Sequence, residues 1–241
     1  MRETPGTIVD VTPRYTLAAG RNSLWAAVEG IRLGEDDVAA AVAEVRARLA
    51  GTESRIVSWW VSERSTPADL EARLIDAGLT QIEDDYLIDG LVATSPPVAG
   101  PSGIEVRPVE SLDEFVEARM LQEEVFETPP ERQRTREQLA AEWGTIDGDL
   151  YAARIDGRLA GVGGASTTSR GVLLWGGATA AWARGRGAYR ALVRARWDDA
   201  VARGAPALTV QAKDTSSPIL LRLGFEKVVQ FRRLQDVLPA P

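Results

Sequence analysis

The chain contains no cysteine and no histidine in 241 residues. Without cysteine there is no disulfide and no thiolate nucleophile, and without either residue the usual zinc ligands are missing, so no metal site is expected. Imidazole cannot carry protons here, so a general base must be a carboxylate, a lysine, a terminus or water. No run reaches the roughly 18 apolar residues of a membrane-spanning helix. The opening Met1-Arg-Glu-Thr-Pro-Gly6 lacks the apolar segment of a secretion signal. Basic residues (28) are outnumbered by acidic ones (35), and the net charge of −7 argues against a broad nucleic-acid surface. These absences lead to the expectation of a cytoplasmic protein with no membrane and no nucleic-acid partner.

What is present suffices for a core: 44% of the residues are hydrophobic and 26% are charged. The length allows one large domain or two smaller ones. Thr94-Ser-Pro-Pro-Val-Ala-Gly-Pro-Ser-Gly103 is the clearest break, because its three prolines and small polar residues continue neither a helix nor a central strand. The expected organisation is therefore a domain over residues 1–95, a linker over 96–102 and a second domain over 103–241.

In the first segment, residues 1–13 read as a lead-in, and Tyr15–Ala19 and Ser23–Leu33 as strands. Glu35-Asp36-Asp37 opens a helix whose apolar positions Val38, Ala41, Val42, Val45 and Leu49 recur at helical spacing. Arg55–Val61 reads as a buried strand that sends Trp59 and Trp60 to opposite faces. A second helix starts at Ser65-Thr66-Pro67 and stops at Gly78, and Thr80–Ile88 offers a strand. In the second segment, a strand from Ile104 precedes a helix over Leu112–Phe126, capped by Ser111. Pro129-Pro130 breaks it, and Arg132–Trp143 makes a second helix, with a turn at Asp147-Gly148. Asp156-Gly157 joins Leu150–Ile155 to Arg158–Ser166 as a hairpin. Val172–Ala178 is the next strand and Ala188–Arg203 the next helix. Ala207–Ala212, Ser217–Leu223 and Glu226–Leu238 supply a strand, a short helix and the closing strands. Both segments end in strand, short helix, glycine (Gly78 or Gly224) and strand, the pattern of a diverged duplication.

Between the strand ending near Thr179 and the helix starting near Ala188 lies Arg184-Gly185-Arg186-Gly187-Ala188-Tyr189. Strand, glycine loop and helix aim unpaired backbone N–H groups and a helix N-terminus at an anion. Arg184, Arg186 and Arg190 add positive potential, so the loop reads as a phosphate site. No G-x-x-x-x-G-K-S/T run exists, and Gly161-Val-Gly163-Gly164 falls inside a strand rather than before a helix.

With this loop in place, residues 103–238 resemble the GNAT N-acetyltransferase superfamily. The family's cofactor loop is usually Q/R-x-x-G-x-G/A. Here Arg184 fills the first position and Gly187 the central one, while Tyr189 stands where glycine or alanine is typical. The family's later L-G-F signature is Leu223-Gly224-Phe225. The resemblance implies an α/β fold with a mixed sheet, the GNAT-like acyl-CoA N-acyltransferase fold, preceded by a smaller, degenerate GNAT-like domain in tandem. It implies acetyl-CoA as acyl donor. Its diphosphate would be held by backbone N–H groups of about Arg186, Gly187, Ala188 and Tyr189, with Arg184 and Gly185 also cofactor contacts. Its pantetheine arm would pair with the strand Trp175–Thr179, including Gly177, Ala178 and Thr179, splayed from Leu208–Gln211. Ser217 is a further cofactor contact. The first domain lacks an Arg-Gly-x-Gly loop where Ala50-Gly51-Thr52-Glu53-Ser54 joins helix to strand, and is expected to bind nothing.

The implied reaction moves an acetyl group to a primary amine of a small molecule by direct attack in a ternary complex. The strand before the loop carries no acidic residue, so base candidates come from Glu123, Glu124 and Glu127 at the end of the first helix, or Glu142 on the second; Glu124 and Glu127 are the catalytic assignment. Relatives place a proton-donating tyrosine where this chain has Leu220, leaving Ser216, Ser217, Tyr189 or water as donor. The alternative is a non-catalytic CoA- or acyl-CoA-binding regulatory protein. The chain is expected to act as a monomer or homodimer.

Overall fold

The computed structural model describes residues 8–20, 25–82, 86–144, 148–168 and 170–239. The lead-in through residue 7, the start of the expected strand at Ser23 and Asp147 of the expected turn lie outside them. The chain divides into two compact units: residues 1–90 with 212–215 and 228–241, and residues 91–211 with 216–227.

In the first unit, β1 (Ile8–Val11), β2 (Thr16–Ala19) and β3 (Trp25–Glu29) form an antiparallel meander. Helix α1 (Val38–Leu49) then leads to β4 (Ile56–Val61), which lies parallel to β3. Helix α2 (Leu70–Asp76), a two-residue β5 (Thr80–Gln81) and β6 (Leu87–Ala93) follow. The expected strand over Ser23–Leu33 ends early, because Gly30 turns the backbone at φ +63°. The last strand of the chain, β12 (Glu226–Val237), pairs antiparallel with β4 from Arg232 to Val237 and so completes this sheet. One face of the sheet is packed with Leu17, Val28, Val57, Trp59, Val61 and Leu234 against the apolar stripe of α1. Trp59 is in that core, whereas Trp60 faces the other way, edge-on to Phe231 with ring centroids 5.8 Å apart.

In the second unit, β7 (Ile104–Pro108) precedes α3 (Leu112–Val125) and α4 (Arg136–Glu142). Ser111 caps α3 by accepting from Glu114 N–H. The second helix starts later than its pattern suggests: Pro130–Arg132 forms a 3-10 turn, and Thr135 with Gln138 makes a reciprocal capping box. Strands β8 (Asp149–Ile155), β9 (Arg158–Thr168) and β10 (Gly171–Thr179) form the next meander. Helix α5 (Ala188–Ala202) crosses to β11 (Leu208–Ala212), parallel to β10, and α6 (Ser217–Arg222) follows.

The two halves of the sequence repeat one order, antiparallel meander, helix, parallel strand, short helix, strand, with most of the second half's closing strand β12 lying in the first unit. Only the second unit prefixes it with a strand and two helices. The repeat is therefore larger than the terminal strand–helix–glycine match in the sequence. It also moves the counterpart of the phosphate loop. The connection that precedes the crossover helix in the first unit is Gly30–Asp37, not Ala50–Ser54, which follows that helix.

Candidate functional site

Strand β10 pairs with β11 over three residues only, Val172–Leu174 against Leu208–Val210, yet β10 runs on to Thr179. From Trp175 onward it keeps β9 on one side and no β11 partner on the other, so its backbone on that side is open for a ligand to pair with. Within this stretch the β9 register slips between Trp175 and Ala178, leaving Gly176 and Gly177 in a bulge, with Gly176 at φ +59°. Ala178 and Thr179 rejoin β9 opposite Val162 and Gly161.

The open edge leads into the loop. A 3-10 turn at Ala181–Ala183 is followed by Arg184, Gly185 at φ +75° and Arg186, all three exposed, and then by Gly187 at φ +90° as the N-cap of α5. No side chain caps this helix. Its first internal bond runs from Ala191 N–H to the Gly187 carbonyl at 3.0 Å, so the N–H groups of Ala188, Tyr189 and Arg190 precede the ladder. A Cβ at Gly185 would meet nothing within 4 Å, so the loop is open there. At Gly187 it would lie 2.5 Å from Pro101 Cδ, because the expected linker packs on α5. Trp182 carries two guanidinium groups near its ring, Arg158 at 4.3 Å and Arg186 at 5.3 Å from the centroid. These hold positive charge beside the loop. The donors, glycine geometry and charge fit a diphosphate.

The face of α5 toward the sheet is built on missing side chains. Gly161 admits Leu192 and Ala188, and Gly163 admits Arg196. Arg196 is fully buried and donates to the carbonyls of Leu192 (3.0 Å) and Gly164 (2.9 Å). Burial lowers its pKa to about 10, against the pull of Tyr189 and Tyr151. Tyr189 lays its ring on Gly177, where a Cβ would come within 2.9 Å of Cε2. Burial raises the pKa of its phenol, and Arg196 pulls the other way. Ser217 is buried at the start of α6, and Leu220 is fully buried and offers no proton.

The four candidate carboxylates separate clearly. Glu123 is buried and held by Arg134 Nε at 2.7 Å. Glu142 joins two arginines, Arg119 at 2.9 Å and Arg134 at 2.6 Å. Burial lowers the pKa of Arg119, partly offset by Glu142. Glu127 lies past α3, exposed, in the left-handed region at φ 51°. Glu124 is exposed, takes part in no ion pair among the described residues, and lines a cleft of about 590 Å³ with Met120, Leu121, Arg158, Leu159 and Trp182. Glu117, also on its wall, is paired with Arg154 at 2.5 Å. The sequence reading missed Gln122, whose side-chain amide donates to the Gly176 carbonyl at 2.5 Å. A signal existed: glutamine at helical spacing from Phe115 and Ala118 sits where an aliphatic residue belongs. It also missed Arg158, which had read as part of a hairpin strand.

This geometry is the fold of the GCN5-related N-acetyltransferases, present here in tandem. A GCN5-related N-acetyltransferase from Kribbella flavida superposes with a TM-score of 0.69 at 19% identity, over 98% of this chain and 91% of that one. A tandem GNAT protein from the clavulanic acid biosynthesis pathway, solved without AcCoA, gives 0.65 at 15%, over 99% and 86%. A third, a GCN5-related N-acetyltransferase from Sphaerobacter thermophilus, gives 0.62 at 18%, over 94% and 77%. At these identities the likeness is one of fold. No protein-family model and no curated protein matches the sequence.

The first unit has the same splay position but closes it. Beyond β3, Arg32 bridges Thr66 in parallel, with Thr66 N–H to Ile31 O at 3.3 Å and Leu33 N–H to Thr66 O at 3.1 Å. The connection then carries Glu35, Asp36 and Asp37 where the second unit carries arginines and glycines. Carboxylates there would repel an anion, and the edge at Ile31–Leu33 is engaged by Thr66. Among the described residues no helix is long and apolar enough to cross a membrane, and no acidic cluster is suited to a metal.

Proposed function

We propose that the chain is an N-acetyltransferase with one working site, in the second unit, that moves an acetyl group from acetyl-CoA to a primary amine of a small molecule. The observation that carries this reading is the early end of the β10–β11 ladder at Leu174, leading into the glycine loop and the uncapped start of α5. Acetyl-CoA supplies the activated acyl group. The N–H groups of Gly187 to Arg190 hold its diphosphate, with Arg184 and Arg186 adding charge, and the open edge from Trp175 to Thr179 aligns the pantetheine arm. In the bulge the Gly177 N–H would serve as a donor to the thioester oxygen, stabilising the charge that acyl transfer develops there. The amine enters from the cleft, and Glu124 takes its proton directly or through water, as the one unpaired carboxylate on that wall. The phenol of Tyr189, lying against Gly177, returns a proton to the departing thiolate. With no cysteine in the chain, acyl transfer proceeds by direct attack in a ternary complex.

Two measurements test this in order. Excess acetyl-CoA should raise the melting temperature; no stabilisation removes the cofactor site. Release of free CoA across a panel of small amines should then exceed the amine-free rate. Binding without release from any amine would leave a CoA-binding regulator instead.

A further inference from the structure

Gln122 is 2% exposed and has both ends of its amide engaged. Its Oε1 accepts from Arg119 Nη1 at 2.6 Å, and its Nε2 donates to the Gly176 carbonyl. A flipped amide would set oxygen against oxygen at Gly176 and NH₂ against the Arg119 guanidinium, so the network admits one orientation. That orientation is braced in turn. Arg119 is tied to Glu142, Glu142 to Arg134 and Arg134 to Glu123, a chain of charged hydrogen bonds linking α3 and α4.

The bond fixes more than a carbonyl. In a planar trans peptide the C=O of residue 176 and the N–H of residue 177 point in opposite directions. A Gly176 carbonyl held toward α3 therefore turns the Gly177 N–H away from α3. The positive φ of Gly176 and the slip in the β9 register allow this peptide to leave the ladder.

Resting on the acetyl-CoA site proposed above, we infer that Gln122 is a positioning residue: it locks the Gly176–Gly177 peptide so that the Gly177 N–H is aimed at the thioester oxygen before substrate arrives. An amide preset in this way costs no reorganisation during the reaction, and donors of this kind are worth about 10²–10³ in rate. The test needs no acceptor. Full-length chain is loaded with acetyl-CoA carrying ¹³C at the thioester carbonyl, and the isotope-edited infrared band is compared with that in water, with affinity read by calorimetry. Wild type should show the band at lower frequency than in water. Gln122→Glu, which has the same shape and keeps the Arg119 contact but loses the donor, should lose that shift while Kd changes by less than about threefold. Gln122→Met, which has neither donor nor charge, should do the same and guards against a folding defect in the first variant. An unchanged shift in either folded variant overturns the role of Gln122 alone. Absence of acetyl-CoA binding in wild type overturns the site and this role together.

Discussion

At the scale of single residues, the site depends on positions where a side chain is missing. Gly176 combines φ +59° with a Cβ position 2.5 Å from Gln122 Nε2. Gly176→Ala must both adopt a left-handed backbone and push the amide away. We expect it to cost about 1–3 kcal/mol, a drop in melting temperature of several degrees, read by calorimetry. Gly164 likewise leaves room for the Trp175 ring, and Gly163 for Arg196. Charge acts at this scale too. Arg107 holds the Glu114 carboxyl below its ordinary value of 4.5. A depressed folded pKa contributes stability that is present above about pH 4.5 and is lost as pH falls through the folded value. Urea midpoints of Glu114→Gln should therefore lie below wild type at pH 7 and approach it as pH falls below 4.5. Parallel curves would contradict this.

At the scale of elements, the sequence was most informative where a pattern is local. The Ser111 cap, the Asp156-Gly157 hairpin and the glycine loop before α5 are each set by residues within a few positions of one another, and the structure shows each of them. Contacts between distant residues were not legible. The bond from Gln122 to Gly176 spans 54 residues, and nothing in either local pattern names its partner. The pairing of β12 with β4 and the counterpart loop at Gly30–Asp37 depend on sheet order, which periodicity does not encode. A substitution at Gly187 collides with Pro101, so loss of binding there would report packing as much as phosphate contact. Gly185 has no neighbour within 4 Å of a Cβ, but at φ +75° any side chain there is strained, so a substitution needs a neutral control that carries the same strain. Among the helices, α4 carries Glu142 on only seven residues, and its capping box starts it. Thr135→Ala should cost about 1 kcal/mol and speed amide exchange across residues 136–142.

At the scale of the whole molecule, one chain holds two versions of a strand–loop–helix device, and only one suits an anion. The second unit offers an open edge, glycines and arginines; the first offers a bridged edge and three carboxylates. That asymmetry gives the account a numerical consequence. Isothermal titration with acetyl-CoA should show one site per chain. Gly185→Asp adds a negative charge to the open loop, and Gly185→Asn carries the same left-handed strain without the charge. The Asp variant should bind at least about tenfold more weakly than the Asn variant, or about 1.4 kcal/mol. Two equivalent sites, no binding at all, or equal affinity in Gly185→Asp and Gly185→Asn would contradict the placement of a single acyl-CoA site at Arg184–Tyr189.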